Sequence, residues 1–189
     1  MSPSADASPY TGRLLVATPS LTDPNFDRTV VLMLAHESDG ALGVVLNRPS
    51  EMPVEAVLPE WAAFVDAPKN LFDGGPVQPE AAICLAQVAA DRHPAGWTPV
   101  QGRLGTVDLS EDADRMGRHV ERMRVFSGYA GWDGGQLESE VDAGAWLVLD
   151  LLPGDPFAAE PARLWSIVLR RQGGLLAVVA TYPADPSLN

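Results

Sequence analysis

The chain has 189 residues, 46% hydrophobic and 20% charged, a composition that fits one folded domain with a core of its own. Its 25 acidic and 13 basic residues give a formal charge of −12, which disfavours contact with nucleic-acid phosphates or an anionic bilayer. The single cysteine, Cys84, excludes an internal disulfide, and no apolar run reaches the roughly 18 residues of a membrane-spanning helix. The expected location is the cytoplasm. Residues 1–11 lack the basic and apolar regions of a signal peptide and read as a frayed tail before a single domain at 12–189.

The first expected strand covers 12–17, and Asp23-Pro24-Asn25 breaks the chain after it. Residues 29–36 and 41–47 are β-rich and apolar on both faces, with Glu37-Ser38-Asp39-Gly40 between them. They predict a central hairpin with a four-residue loop, covered on two sides. Arg48-Pro49 ends its second strand. A short helix is expected over 54–58, with 61–65 as a candidate continuation. Residues 70–73 then lead into the demanding turn Gly74-Gly75-Pro76-Val77. Residues 81–88 predict a buried strand, 91–106 mostly loop, and 106–109 a short strand.

Ser110 is the expected cap of a helix running to about His119, since Glu111, Asp112 and Asp114 suit its positive end. A strand over 122–126 delivers the chain into a glycine-aromatic loop, Ser127-Gly128-Tyr129-Ala130-Gly131-Trp132-Asp133-Gly134-Gly135. Such glycine density implies a demanded backbone shape or a close approach. Asp133 and Gln136 have capping-box spacing for a helix over 134–143. A strand at 145–150 and a helix over 161–172 follow, the latter stopped by Gly173-Gly174. Residues 175–182 fit a final strand or a packed tail. An early hairpin with helices inserted later predicts an α+β fold.

Familiar chemistry is missing. There is no nucleophile elbow, phosphate loop, dinucleotide fingerprint or zinc signature, and Met116 and Met123 occupy calcium-ligand positions of the acidic stretch from Asp112. His36, His93 and His119 share no ligand spacing, so neither metal nor cofactor is expected. His36, beside Glu37 and Asp39, is a candidate general base, and Ser127 the least poor nucleophile. Against these stand a histidine satisfying backbone at a strand end and a serine making a turn. Arg115, Arg118, Arg122 and Arg124 form the basic cluster, but interleaved acids make it a self-paired face.

Several stretches together resemble the AlgH/YqgE family of bacterial proteins: Gly12-Arg13-Leu14-Leu15-Val16-Ala17, Asp23-Pro24-Asn25-Phe26, Asn47-Arg48-Pro49, Gly74-Gly75-Pro76-Val77, Ser127 through Leu137, and the ending from Tyr182 to Asn189. The resemblance implies a compact α+β domain with a strongly bent, barrel-like sheet flanked by helices. It implies no reaction, although members are often labelled transcriptional regulators. The resulting expectation is a non-enzymatic binding or regulatory module for an unidentified protein or small molecule. Its surface would gather Asn47, Arg48, Pro49, Gly74, Gly75, Pro76, Tyr129, Trp132 and Gln136. The alternative is a hydrolase-type enzyme using His36 or Ser127.

Overall fold

The computed structural model describes residues 9–183. Its centre is a ten-stranded, curled half-barrel sheet. The strands are β1 (Leu14–Ala17), β2 (Val30–Glu37), β3 (Gly40–Val45), β4 (Pro49–Pro53), β5 (Asn70–Asp73), β6 (Val77–Val88), β7 (Trp97–Gln101), β8 (Leu104–Val107), β9 (Val120–Asp133) and β10 (Trp146–Leu149). The main path runs β10-β1-β2-β3-β9-β6-β8-β7, while β4 pairs β5 and β5 pairs β9. Every pairing is antiparallel except β5 on β9. The helices are α1 (Val54–Val57), α2 (Ala113–Gly117), α3 (Gln136–Asp142), α4 (Leu164–Arg170) and α5 (Gly174–Val179). None is long and apolar enough to cross a membrane.

Double-sided apolar strands are covered on both faces. From β1, Leu14 and Val16 enter an inner core with Leu32, Val44, Phe126 and the α4 residues Trp165 and Val168. Leu15 and Ala17 enter an outer core with Val31, Val45, Trp132 and Leu137 of α3. A third cluster joins Cys84, Met123 and Val125 to Trp61 and to Met116 of α2. The alternation follows from the period of two along each strand.

The structure corrects several expectations. The hairpin loop is only Ser38-Asp39, since Glu37 pairs Gly40, and a bulge between Met33 and Ala35 interrupts the β2–β3 ladder. The glycine-aromatic stretch is no loop, because β9 continues to Asp133, with β6 along one side and β3 and β5 along the other. Residues 97–107 are a hairpin turning at Gly102, whose φ is +57°. Pro99 is tolerated there because β7 is an edge strand, and the Trp97 indole anchors it by donating to the Ala86 carbonyl at 3.2 Å.

Asp112, not Ser110, caps α2, accepting from the Arg115 amide at 2.7 Å, and the helix ends before His119. Ser110 instead donates to Asp108 at 2.7 Å. The capping box is half made. Gln136 accepts from the Asp133 amide at 3.0 Å, but Gly135, at φ +77°, occupies the cap position without a side-chain bond. Residues 161–163 are a 3₁₀ turn before α4, and 175–179 lie in a helix, α5. Of the expected tail, 1–8 lie outside the described residues, and Tyr10 stacks on His36 with ring centroids 4.9 Å apart. The family-like ending from Ala184 onward also lies outside them.

Candidate functional site

The dense glycines are explained by a place where the chain crosses itself. β5 runs beside β9 on the side used by β3, with Asp73 opposite Ser127. Four residues later Val77 pairs Tyr129 from the opposite side, as the start of β6. Residues 74–76 therefore pass over β9 at Gly128. Two backbones approach there with no room for side chains: a Cβ on Gly128 would lie 2.5 Å from the Gly75 carbonyl oxygen, and a Cβ on Gly75 would overlap the Tyr129 carbonyl. Positive φ values of +148° at Gly75 and +70° at Gly128 add a second requirement for glycine. The Gly74 amide donates to the Ser127 carbonyl and the Val45 amide to the Gly74 carbonyl, at 2.8 and 2.9 Å, which fixes the crossing to both neighbours.

A polar pocket of about 200 Å³ opens at this crossing, lined by Asn25, Val45, Arg48, Asp73, Gly75, Pro76, Pro79 and Ser127. Arg48 reaches it from the residue before β4. Its guanidinium donates to the carbonyls of Asn25 (2.6 Å), Pro24 (3.1 Å) and Asp27 (3.1 Å), clamping the 23–27 turn. No carboxylate among the described residues pairs with it, and the exposed Asp73 likewise has no ion-pair partner among them. Ser127 donates its hydroxyl to the Pro79 carbonyl. Next to the pocket β6 bulges between Val77 and Ala82, and Gln78 holds φ at +44°. Positive φ at a non-glycine residue is strain of about 1–3 kcal/mol that the surroundings must hold in place.

The structure brings Arg48, Gly75 and Pro76 of the expected surface together here, with Gly74 beneath them and Tyr129 half-buried beside the crossing. Pro49 is exposed at the start of β4. The other three do different work. Asn47 is buried and structural, accepting from the Val30 amide and donating to the Arg28 carbonyl at 2.9 Å each. Trp132 is 6% exposed and packs with Phe26 and Trp146. Gln136 binds Glu140 at 2.9 Å at the far end of the segment. Six residues separate Ser127 from Asp133, about 20 Å of strand. Asp73, Pro79 and Ser127 were missing from the expected surface. The acid immediately before Gly74-Gly75 was the available signal for Asp73.

His36 and Ser127 are not partners. His36 is buried, and its Nε2 meets Glu138 at 2.8 Å. It pairs Ala41, which pairs Trp132, so it lies five residues, about 16 Å of strand, from the level of Ser127. Glu37 and Asp39, the acids expected to orient it, make no side-chain ion pair with it. Burial pushes the Cys84 thiol up to about 12, so it is neutral and unreactive. No group of His, Cys, Asp or Glu among the described residues could hold a metal ion.

The basic cluster divides in the folded chain. Arg115 pairs Glu111 within the cluster, as expected of a self-paired face, whereas Arg122 lies on β9 and pairs Asp66 from outside it. Arg124 is instead wholly buried, donating to the carbonyls of Pro156 (3.0 Å) and Ala67 (2.8 Å) above the Phe72 ring. Burial lowers its pKa to about 10, partly opposed by Asp66, so it stays charged at neutral pH.

Comparison with known proteins agrees with this architecture. The AlgH-like family model matches residues 14–177. A UPF0301 protein of Streptomyces coelicolor is 50% identical, with all of both chains covered. The crystal structure of protein DIP2367 from Corynebacterium diphtheriae superposes with a TM-score of 0.88 at 33% identity, over 92% of this chain and 93% of that one. The solution structure of AlgH from Pseudomonas aeruginosa gives 0.69 at 29% identity, over 98% of each. Those stretches include both halves of the crossing, and the chain belongs to the AlgH-like family.

Proposed function

We propose that this protein is a non-enzymatic binding or regulatory module whose partner, a small polar molecule or an exposed protein segment, docks in the pocket at the β9 crossing. The observation that carries the reading is one guanidinium and one carboxylate, Arg48 and Asp73, lining a single concavity without forming an ion pair with each other. Separated charges on a stiff frame supply orientation and selectivity to a ligand carrying complementary groups. The frame is stiff because the glycine contacts permit few alternatives and Arg48 holds the 23–27 turn. Nothing in the geometry favours a hydrolase, since Ser127 spends its proton on the Pro79 carbonyl and no side chain among the described residues hydrogen-bonds its hydroxyl, the neighbouring Asp73 included. The charge of −12 supports a partner other than nucleic acid, and one buried, reduced cysteine suits the cytoplasm.

The test is an amide NMR screen of pooled metabolites and nucleotides against the full chain, repeated with Asp73→Asn and Ser127→Ala. These two substitutions leave the Arg48 clamp intact. A true ligand shifts Asn25, Asp73, Gly75 and Ser127 together and binds Asp73→Asn at least tenfold more weakly. Hits that perturb other surfaces only, or that bind the variant equally, remove the reading.

A further inference from the structure

A second concavity, sharing no lining residue with the crossing pocket, lies on the inner face of the curled sheet, with a volume of about 350 Å³. Leu34 and Leu42 of the β2–β3 hairpin form one wall, and Ile83 of β6 and Val100 of β7 face them. Curvature brings these strands together although β9 lies between the hairpin and β6, and β8 between β6 and β7, in the sheet order. The bulge at Leu34 contributes, because an unpaired residue bends its strand and re-aims its side chain. Leu34 and Ile83 also pack on the inner core, so the floor of the concavity is continuous with the core itself.

Three features define what fits. None of its lining residues is Asp, Glu, Lys, Arg or His, although one residue in five of the chain is charged. A bound cation would meet no carboxylate, and an anion would meet no cation while facing the field of an acidic protein. Thr98 and Thr106 stand directly opposite each other across the β7–β8 ladder, and both line the concavity. Two hydroxyls among lining side chains that are otherwise apolar can hold a single polar group and orient the rest of a molecule. The size falls within the roughly 300–1,000 Å³ of small-molecule sites and is too small for a packed helix.

We propose that the concave mouth of the half-barrel binds an uncharged, predominantly apolar small molecule that presents one hydrogen-bonding group to Thr98 and Thr106. The site is separate from the crossing pocket and does not depend on it. The test uses the full chain and the neutral fluorophore N-phenyl-1-naphthylamine. Saturable fluorescence enhancement is expected, with amide shifts at Leu34, Leu42, Ile83 and Thr106. Val100→Glu, on a half-buried edge position, weakens binding at least tenfold, and Thr106→Val weakens it about threefold to tenfold. Leu175→Glu, on exposed α5, leaves it unchanged. The sulfonated analogue 8-anilinonaphthalene-1-sulfonate binds at least tenfold more weakly than the neutral probe. Absence of saturation, equal affinity for the sulfonate, or loss with Leu175→Glu but not Val100→Glu overturns the proposal. A circular dichroism spectrum of each variant separates lost binding from lost fold.

Discussion

At Gly128 a Cβ would fall 2.5 Å from the Gly75 carbonyl oxygen, whereas at Gly135, later in the same stretch, it would meet nothing within 4 Å. The two positions have nearly the same φ, +70° and +77°. One glycine is required by a neighbour distant in sequence, and the other only by its own torsion angle. The crossing end is held by backbone against backbone, which no side chain can relax. The helix end is held by side chains: Glu140 accepts from the Trp132 indole, the Trp146 indole and the Gln136 amide, each at 2.9 Å. The crossing should therefore be stiff and intolerant, and the helix junction softer and adjustable.

Gly75→Ala should show the largest effect. Its methyl group must enter the Tyr129 backbone while the residue keeps a positive φ, so the loss should be roughly 3 kcal/mol or more. A urea unfolding curve measures it, and a loss under about 1 kcal/mol would mean that the crossing can open. Glu140→Ala comes next, at about 2 kcal/mol, because it strands the indole N–H groups of Trp132 and Trp146 in a buried cluster. Tryptophan fluorescence should shift with it, while amide shifts at the crossing stay in place. Gly135→Ala should cost about 1 kcal/mol, from backbone torsion alone. A cost equal to that of Gly75→Ala would erase the distinction between the two ends.

The contrast also explains what could be read from the residues. The β2–β3 hairpin was legible because both strands are apolar on both faces, a local property. The crossing was not, since Gly74-Gly75 and Gly128 signal only that something approaches closely, and their partner is set by the sheet order. The same glycines made the second half of β9 look like a loop. The β7–β8 hairpin was hidden by Pro99, Gly102 and Gly105, which an edge hairpin accommodates. Of the candidate surface, Gly75 and Pro76 were legible on a demanding turn, and Arg48 through the family resemblance of Asn47-Arg48-Pro49. Trp132 was misplaced because alternation along β9 sends it into the outer core, an orientation that cannot be assigned to a supposed loop.

Acid should separate the two ends as well, by the smallest effect. Glu138 has its pKa lowered by a bond from its own backbone amide and, less strongly, by His36, against the opposing pull of desolvation. The unfolded chain takes up this proton near 4.5 and the folded chain only below it. The contribution to stability is thus present above about 4.5 and is lost as pH falls through the lower folded value. The Glu138 side chain is 44% exposed, so solvent screening keeps the contribution small. Its location is what discriminates, because Glu138 ties α3 to His36 of β2, while the crossing is fixed by amides and carbonyls that do not titrate. Between pH 6 and 3.5, amide exchange in α3 should rise ahead of exchange at Phe126 to Ala130, and Glu138→Gln should abolish the difference. If both regions loosen in parallel, the helix junction and the crossing form one cooperative unit, and the stiffness assigned to the glycine contacts belongs to the whole sheet.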